Sequence, residues 1–432
     1  MHEARGRGKA FREAARLIFD NAIGPVDRWE SRVEKMRWPR PLSFDFRLST
    51  FEGAAVNHEP IRVLEVVRAV PGGGAEDWLV KVTRQMDRER VKFDFCALWP
   101  PSASFRDDVE KLGGRVLICL LRASLPTFPL RFHRILRAGR YDVIHSHVGW
   151  PSGLVLWQAS LEGIPKRIAH SHNSDDLNPH SLLRNTWRAS MRVGIRKYAT
   201  AGLACSVAAA KFLFGPRWES DPRFRVFHCG VNLEAFRTTS SREEVRRQLG
   251  IPVDVPVVGH VGLFEPRKNQ AFLLQVAREV VKARPEVRFL MVGEGPSRPQ
   301  IEAMARELGI EKNVVFTGQR SDVPRLMLAA MDVFALPSIE EGLAIVLTEA
   351  QAAGLRSVAS DAIPAEAAVV PGAVEHLPLS EGPKPWAASL LRLLDNGRME
   401  NGMVLRSLEP TDFNIRRSCA ELTRLYDRAI DD

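Results

Sequence analysis

Glu341 and Glu349 are the two residues whose type and spacing point most directly to chemistry. Eight positions along a helix correspond to about two turns, or roughly 12 Å. That separation is too large for the two carboxylates to share a proton or a single metal ion. It suits two separate contacts with one elongated polar ligand. Two unrelated, solvated glutamates are the alternative that the spacing alone leaves open.

A strand, a tight turn and a helix must position these two side chains. Residues 332–354 run DVFALPSIEEGLAIVLTEAQAAG, in which the apolar strand 333–336 is broken by Pro337 and Ser338. A helix rich in Ala, Leu and Glu follows and ends at Gly354. Open α/β sheets build ligand sites in this way, because the N–H groups of the first helical turn are free to bind an anion. We therefore predict a ligand-binding turn between this strand and this helix.

The segment 337–354 resembles a known motif. Its pattern P-S-x-x-E-G-L-x-x-V-x-x-E-A-x-A-x-G resembles the glutamate-x7-glutamate motif of retaining GT-B glycosyltransferases, and in particular that of glycosyltransferase family 4, which includes many capsule and exopolysaccharide enzymes. The resemblance implies that Glu341 contacts hydroxyls of the donor sugar. It also implies that Glu349 binds the ribose of the nucleotide.

The same resemblance implies where the donor diphosphate lies. In the family, the N–H groups between the two glutamates face the diphosphate, which here assigns that contact to Gly342, Leu343 and Ala344. Leu343 fits the family pattern, whereas Ala344 stands where Gly or Pro is usual.

Cations at a strand-to-helix turn are expected to complete the donor site. The stretch LFEPRKN resembles the family pattern G-R-[LF]-x-x-x-K-[GN], in which both Arg and Lys contact the diphosphate. Lys268 matches the Lys, whereas Leu263 takes the place of the Arg. Arg267 is a candidate substitute, because a guanidinium at this turn can form charge-assisted hydrogen bonds with phosphate. The resemblance further implies that Gly318 and Gln319 contact the base.

A glycine loop follows the first predicted strand, IRVLEVV. Residues 70–76 run VPGGGAE, and such a loop lets the backbone approach a ligand closely. The third glycine of G-x-G-x-x-G would fall at Asp77, so the dinucleotide fingerprint is not fulfilled, and a tight turn without a ligand is the alternative. A similar GG-x-E loop in the family faces the donor phosphate or the acceptor. That implies donor contacts for Gly73 and Gly74 and an acceptor contact for Glu76.

Two predicted strands end in His-Ser-His, at 145–147 and 170–172. Strand alternation places both histidines of a pair on one face, and four imidazoles could hold a metal ion. No cysteine or carboxylate at a familiar spacing completes such a site, so we expect no metal and interpret the histidines as hydrogen-bonded strand ends. D-V-I-H-S-H resembles the family element D-V-x-H-x-H, which implies that His147 lies beside the transferred sugar. R-I-A-H-S-H-N resembles capsule-type members, which implies that His172 and Asn173 line the acceptor side.

Alternating strand and helix patterns predict an α/β protein with parallel doubly wound sheets. With the resemblance, the expected fold is GT-B: two Rossmann-like doubly wound parallel-sheet domains facing across a cleft. We divide the chain into an N-terminal extension at 1–60, expected to be poorly ordered, an acceptor-side domain at 61–238, a nucleotide-sugar-binding domain at 239–410, and a C-terminal helix at 411–432 that crosses back to the first domain.

The link between the two domains also carries a family pattern. RVFHCGVNLEAF, at 225–236, resembles P-N-G-[IV]-D-x-x-x-F. Gly230 and Phe236 match the pattern, whereas Cys229 replaces the Asn and Asn232 replaces the Asp.

Composition and length limit the function classes. The 432 residues, 45% of them hydrophobic, indicate a globular protein of two domains, and no apolar run is long enough to span a bilayer. The cysteines are widely spaced and contain no C-x-x-C, which favours a reducing cytoplasm. They are Cys96, Cys119, Cys205, Cys229 and Cys419.

The positive charge of the chain lies in its first half. Residues 1–240 hold 38 Lys and Arg against 25 Asp and Glu, and the remainder holds 23 against 27. Two arginine series fall there, one with a period of four and one with a period of three: Arg184, Arg188, Arg192, Arg196, and Arg131, Arg134, Arg137, Arg140. The first series is expected to keep to one side of a helix.

This basic first half leads to a prediction about partners. We predict peripheral attachment to an anionic membrane at the cytoplasmic face, with a lipid-diphosphate-linked glycan as acceptor. A solvated helical face is the alternative, and no nucleic-acid-binding motif is present.

The resemblance implies a retaining glycosyltransferase of the hexosyltransferase type, with a nucleotide-sugar as substrate, no cofactor, and catalytic roles for His147, Lys268 and Glu341. No Asp-x-Asp pair occurs in the chain, so we expect the reaction to need no metal ion. A hexosamine epimerase of the same fold and a non-catalytic sugar-nucleotide-binding relative are the alternatives. An NAD-linked oxidoreductase fits less well, because the glycine fingerprint fails.

Overall fold

The computed structural model describes residues 59–68, 74–121, 127–174 and 181–427. The predicted extension up to residue 58 and Gly73 of the glycine loop lie outside the described residues. The chain divides into two compact units, residues 1–58 with 179–187, and residues 59–178 with 188–432. In the first unit, the described residues 181–187 include the start of one helix. Apart from the first residues of this helix, all that follows concerns the second unit.

Seven parallel strands form the first sheet, in the order β3-β2-β1-β4-β5-β6-β7. Their bounds are Ile61–Val67 (β1), Val91–Ala97 (β2), Arg115–Ile118 (β3), Val143–Ser146 (β4), Lys166–Ser171 (β5), Ala201–Ala204 (β6) and Phe224–Val226 (β7). The central strands β1 and β4 are buried along nearly their whole length, because helices cover both faces of a parallel sheet. The order reverses between β1 and β4, where doubly wound sheets open a crevice at the carboxyl ends of the strands.

Six parallel strands form the second sheet, in the order β10-β9-β8-β11-β12-β13. Their bounds are Val257–Val261 (β8), Arg288–Val292 (β9), Val314–Phe316 (β10), Val333–Leu336 (β11), Arg356–Ser360 (β12) and Val374–Leu377 (β13). Its switch point lies between β8 and β11, so the turns after these two strands meet. The prediction of two Rossmann-like parallel-sheet domains of the GT-B class is confirmed.

Fourteen α-helices of the described residues connect and flank the strands. Those of the first half are Gly74–Gln85 (α1), Ala103–Lys111 (α2), Phe128–Gly139 (α3), Ser152–Leu161 (α4), Leu182–Tyr198 (α5) and Val207–Phe214 (α6). Those of the second half are Arg242–Gln248 (α7), Gln270–Ala283 (α8), Arg298–Glu307 (α9), Val323–Ala329 (α10), Ile345–Ala352 (α11), Pro383–Asn396 (α12), Asn401–Leu408 (α13) and Ile415–Tyr426 (α14). Apolar faces of α8 and α12 pack on the second sheet around Trp386 and Phe289, which anchors the turns that surround the site.

Some element boundaries differ from those that the sequence predicts. The helix after the glycine loop begins at Gly74, which lies inside the loop predicted at 70–76. Strands β4 and β5 end before His147 and His172, so one histidine of each pair lies in a strand and the other in the following loop. The ends are staggered, since β4 ends at Ser146 opposite Ala169, whereas β5 continues to Ser171.

The arginine series on α5 does not occupy one accessible side of the helix. Arg188 is buried, and Arg192 donates to the carbonyl oxygens of Phe212 and Leu213, at 3.0 and 3.3 Å. A spacing of four residues drifts by about 40° per step around a helix, so the series turns toward the side that packs on the domain. Arg188 and Arg192 are thus engaged with the domain, and only Arg196 of the series is exposed.

The last helix packs against the first domain. Val231 of the linker donates to the carbonyl oxygen of Phe413 at 2.7 Å, and Ile415 donates back to Val231 at 3.1 Å. From there α14 runs along α1 and brings the Tyr426 hydroxyl to 2.7 Å from His145 Nδ1. Among the described residues, we find no helix whose length and hydropathy would let it cross a membrane.

Candidate active site

The turn after β8 brings Lys268 to Glu341. Residues Pro266–Lys268 form a short 3-10 turn, and Asn269 follows in the left-handed conformation, with φ 53°, before α8 begins. Lys268 Nζ lies 2.5 Å from Glu341 Oε1, and the Ser338 hydroxyl donates to the same oxygen at 2.7 Å. The two sequence-predicted residues therefore form one partly buried ion pair at the switch point of the second sheet.

This ion pair controls the protonation of Glu341. Burial alone would raise the pKa of the Glu341 carboxyl, but Lys268, Ser338 and Arg267 outweigh burial and lower that pKa below its ordinary value. Glu341 is consequently a carboxylate at neutral pH. It can accept hydrogen bonds from hydroxyls but does not act as an acid.

The loop after Glu341 is held by the first domain. The Ser174 hydroxyl donates to the Glu341 carbonyl oxygen at 2.6 Å, and the Ser206 hydroxyl donates to the Gly342 carbonyl oxygen at 2.6 Å. A Cβ atom on Gly342 would overlap the carbonyl oxygen of His172, so only glycine fits between the two domains here. Two successive carbonyl groups of the loop, those of Glu341 and Gly342, are therefore hydrogen-bonded to the first domain.

Ala344 adopts a conformation that L-residues rarely take. Its φ of 65° and ψ of 60° are left-handed, and it is the residue immediately before α11. Glycine occupies such positions without strain, which accounts for the Gly of the family pattern but not for the Pro. Leu343 and Ala344 are both buried. The turn presents the start of α11, where helix N–H groups favour anions.

Glu349 contacts a lysine of the first domain. Lys81 Nζ on α1 lies 2.9 Å from Glu349 Oε1 on α11, and 2.8 Å from Asp77, one turn earlier on α1. Burial would lower the pKa of Lys81, but the two carboxylates outweigh burial and raise it above its ordinary value. Sequence reasoning missed Lys81, whose only sequence signal is an (i, i+4) pairing with Asp77 that also occurs on solvated helices.

Arg267 points to carboxylates in this structure. It contacts Glu265 at 2.8 Å and Glu340 at 3.3 Å, and Glu340 in turn accepts from the Ser174 hydroxyl at 2.8 Å. Leu263 contributes its carbonyl oxygen to Gln270 Nε2 at 2.7 Å. Arg267 is thus next to the Lys268–Glu341 pair, but its guanidinium forms ion pairs with Glu265 and Glu340.

Gly318 and Gln319 lie at the end of β10, beside the turn after β9. Gly293 N donates to the Gly318 carbonyl oxygen at 2.9 Å, and both glycines have positive φ. A Cβ atom on Gly293 would overlap the carbonyl oxygen of Gly262, so the turns after β8, β9 and β10 pack directly on one another. Gln319 is exposed. These turns form a continuous edge next to Lys268.

The histidines converge on Glu65 in the centre of the first sheet. Glu65 is 1% exposed, and its Oε2 lies 2.7 Å from His147 Nε2. His147 Nδ1 lies 2.8 Å from His172 Nε2, so both ring nitrogens of His147 are engaged. His172, whose backbone touches Gly342, stands between His147 and the second domain. Sequence reasoning singled out His147 and His172 but missed Glu65, which lies inside a strand and looks like a core position.

The remaining sequence-predicted residues lie at the edge of the first domain. Gly74 is exposed at the start of α1, and Glu76 follows in its first turn. The carbonyl oxygen of Asn173 lies 3.4 Å from the Ser171 hydroxyl, in the loop that leads to Ser174. The structure thus brings Glu341, Lys268, Gly342 and His172 together, while Gly74 and Gln319 are peripheral.

The architecture defines a class of protein before any relative is considered: an α/β protein of two doubly wound domains whose switch-point turns carry a lysine, a buried carboxylate and a helix start. Comparison then identifies it. Residues 72–235 match the model of Glycosyltransferase Family 4, and residues 241–404 match that of Glycosyl transferases group 1. The chain belongs to this family and is a glycosyltransferase.

Individual relatives agree with this assignment. The chain is 30% identical over 377 residues to the protein named glycosyltransferase EpsF of Bacillus subtilis (strain 168), covering 86% of this chain and 97% of EpsF. It is 30% identical over 312 residues to the D-inositol 3-phosphate glycosyltransferase of Corynebacterium glutamicum (strain R), covering 67% of this chain and 73% of that one.

Solved structures share the fold. HepE of Anabaena, determined in complex with UDP-glucose, superposes with a TM-score of 0.66 at 21% identity, covering 84% of this chain and 98% of HepE. WaaG, a glycosyltransferase involved in lipopolysaccharide biosynthesis, superposes with a TM-score of 0.64 at 16% identity, covering 85% of this chain and all of WaaG.

Proposed function

We propose that this glycosyltransferase moves a sugar from a nucleotide-sugar to a growing glycan in cell-surface polysaccharide biosynthesis, with retention of anomeric configuration. The observation that carries the proposal is the Lys268–Glu341 pair, buried at the switch point next to the start of α11. The similarity to EpsF and to a fold that binds UDP-glucose in HepE supports the nucleotide-sugar and the polysaccharide context.

In the proposed reaction the bond between the sugar C1 and the diphosphate oxygen breaks, and a bond from the acceptor hydroxyl to C1 forms on the same face. Lys268 and the N–H groups at the start of α11 stabilise the negative charge that develops on the departing diphosphate. The acceptor proton passes to a diphosphate oxygen. Glu341 accepts hydrogen bonds from donor hydroxyls and so orients the sugar.

The other predicted residues have assigned places in this proposal. Glu349 accepts from the ribose hydroxyls with its Oε2, while Oε1 keeps Lys81. Gly318 and Gln319 border the base. Both ring nitrogens of His147 are hydrogen-bonded, to Glu65 and to His172, so in this proposal His147 acts on the sugar through His172. Glu76, His172 and Asn173 face the acceptor.

The acceptor is proposed to be a lipid-diphosphate-linked glycan at an anionic membrane. The accessible basic residues of α3, Arg134 and Arg137, support contact with such a surface, at about 1 kcal/mol per residue. The double variant Arg134→Glu/Arg137→Glu should lose flotation with anionic vesicles. Arg406→Glu/Arg417→Glu, with the same change of charge on the second half, should retain it. If both variants float to the same extent, the α3 arginines do not mediate membrane binding, and a soluble acceptor would be favoured.

Product analysis tests the proposed reaction. The protein is incubated with UDP-sugars, with and without extracted lipid-linked glycan, and the sugar is followed by mass spectrometry and NMR. Transfer predicts that the sugar moves only when acceptor is present and that the new linkage has the anomeric configuration of the donor. Conversion of the donor sugar to its epimer without acceptor would replace the proposal by the epimerase alternative.

A further inference from the structure

We propose that His170, His172 and Cys229 form a binding site for a transition-metal ion of the zinc class. His170 ends β5, His172 follows it in the loop, and Cys229 lies on the linker between the domains. None of its three side chains is among the proposed donor contacts, although the backbone of His172 touches Gly342.

The three side chains already lie at the separation of metal ligands. One ligand atom from each of them lies within 4.8 Å of the other two, and Cys229 Sγ is 3.8 Å from His172 Nδ1. Ligands of one tetrahedral zinc ion, with Zn–N of about 2.0 Å and Zn–S of about 2.3 Å, lie roughly 3.5 Å from one another. Only small side-chain movements are therefore needed to seat an ion.

The protons of the cluster are assigned from Glu65 outward. The Glu65 carboxylate accepts at Oε2 from His147 Nε2 at 2.7 Å, so the proton of neutral His147 is on Nε2 and its Nδ1 is an acceptor. His172 Nε2, 2.8 Å away, must then donate to His147. The Nδ1 of neutral His172 is left with a lone pair, and that lone pair faces Cys229.

A second chain of hydrogen bonds begins at the same carboxylate. The Tyr426 hydroxyl donates to Glu65 Oε1 at 3.2 Å, so it accepts from His145 Nδ1 at 2.7 Å. His145 Nε2 is then an acceptor and receives the proton of His170 Nδ1 at 3.2 Å. The Nε2 of neutral His170 is left with a lone pair.

One buried carboxylate thus leaves two imidazole lone pairs, His170 Nε2 and His172 Nδ1, without a strong hydrogen-bond donor. His170 Nε2 is fully buried and has no partner at all among the described residues, which is a costly state for a polar atom. Histidine ligands of metals characteristically donate their other N–H to a fixed acceptor, as both residues do here. A metal ion would complete the coordination that these hydrogen bonds prepare.

The donor set indicates which class of metal the site would take. A coordinating cation deprotonates a thiol, so Cys229 would bind as a thiolate. Two imidazoles and one thiolate suit zinc among the common metals.

Metal analysis of the untagged, full-length protein is the first test. After dialysis we expect about one zinc per chain, measured together with copper, nickel and iron by mass spectrometry. Cys229→Asn should remove the metal. Asparagine is the residue of the family pattern at this position, so the variant should fold. Cys419→Ser, a change at a buried thiol of α14, should keep the metal. Equal metal content in the wild type and Cys229→Asn would overturn the proposal.

Cobalt substitution reports on the ligands without any variant. Cobalt bound to a thiolate in a tetrahedral site gives a sulfur-to-metal charge-transfer band and intense visible bands. We expect both in the wild-type protein, and their absence would overturn the proposal even if Cys229→Asn did not fold. Glu65→Gln keeps all three ligands but removes the carboxylate that assigns the protons, so it should weaken cobalt affinity about 10- to 100-fold. Unchanged affinity would contradict the proton assignment on which the site rests.

Discussion

Lys81 on the first domain and Glu349 on the second form an ion pair, with 2.9 Å between Nζ and Oε1. Asp77 shares the lysine, so one cation is held by two carboxylates from two domains. The residue assigned to the ribose therefore also joins the domains. Variants of Glu349 alone would mix these two effects.

Comparing variants of the two partners separates ribose binding from domain contact. Glu349→Ala should weaken nucleotide binding by about 1.5–3 kcal/mol, because a hydrogen bond to a charged group is lost. Lys81→Met also breaks the ion pair but leaves the carboxylate, so its nucleotide affinity should stay within a few-fold of the wild type. Isothermal titration calorimetry with UDP measures both. If the two variants lose affinity equally, Glu349 acts through Lys81 and not on the ribose.

Replacing Glu341 should affect transfer more than binding. Glu341→Gln keeps the shape of the side chain but weakens its hydrogen bonds to donor hydroxyls and its pairing with Lys268. We expect kcat to fall by about 10- to 100-fold, corresponding to roughly 1.5–3 kcal/mol, with little change in nucleotide affinity. The matched control is Glu340→Gln, whose amide oxygen can still accept from Ser174. A control as slow as Glu341→Gln would argue against a specific role for Glu341.

Ala344 offers a test of backbone strain. Its left-handed conformation costs an L-residue about 1 kcal/mol that glycine does not incur. Ala344→Gly should therefore raise the free energy of unfolding, by up to about 1 kcal/mol, in urea titrations. Ala353→Gly, on the same segment but with an ordinary φ of −78°, should lower it. A destabilised Ala344→Gly would show that the methyl group contributes more packing energy than the strain costs.

His260 should make stability depend on pH. Its ring is buried behind Lys268, and burial lowers its pKa to about 4, although the Ala335 carbonyl opposes this shift. As the pH falls, His260 of the unfolded chain takes up a proton near pH 6.5, whereas His260 of the folded chain takes one up only near pH 4. The stabilisation is therefore complete above pH 6.5 and is lost as the pH falls toward 4, at about 1.4 kcal/mol per pH unit.

Denaturant titrations at pH 7.5, 6.5, 5.5 and 4.5 measure this dependence. His260→Gln removes the titrating group, so its stability should fall with pH less steeply than that of the wild type, whatever its absolute value. Parallel curves for the two proteins would mean that other groups account for the pH dependence.

Transfer should proceed without magnesium or manganese, because the chain contains no Asp-x-Asp pair to clamp a metal–diphosphate. Withdrawing both ions from the assay with a chelator should leave the initial rate unchanged. A rate that falls and then recovers on adding either ion would refute the assignment of diphosphate stabilisation to Lys268. The proposed zinc site on the first domain is separate from this contact.

Much of the fold could be predicted from local sequence. The apolar run 333–336 is a strand with the predicted bounds, because a β-branched and aromatic segment buried on both faces has a strong local preference. Strands β7 and β13 could not be predicted in the same way. The three residues 224–226 range from buried to exposed, and VEHL at 374–377 is half-buried throughout, so neither segment has a clear alternation of apolar and polar residues. They form only because a neighbouring strand is available at the sheet edge.

The site was predictable only in part, because its contacts join distant positions. The family motif names Lys268 and Glu341 but not their direct pairing. Nothing local indicates that Cys229 lies beside His172, 57 residues earlier, or that Glu65 fixes the histidine protons. These relationships are created by the order of the strands.

The missing side chain of Gly342 has a consequence for how molecules are exchanged. The loop touches the carbonyl oxygen of His172 directly, and the Ser206 hydroxyl holds its own carbonyl oxygen at 2.6 Å. No room is left at this point for a nucleotide to pass between the loop and the first domain. A larger residue at 342 would therefore be expected to push the loop away from the first domain and to break the hydrogen bond to Ser206.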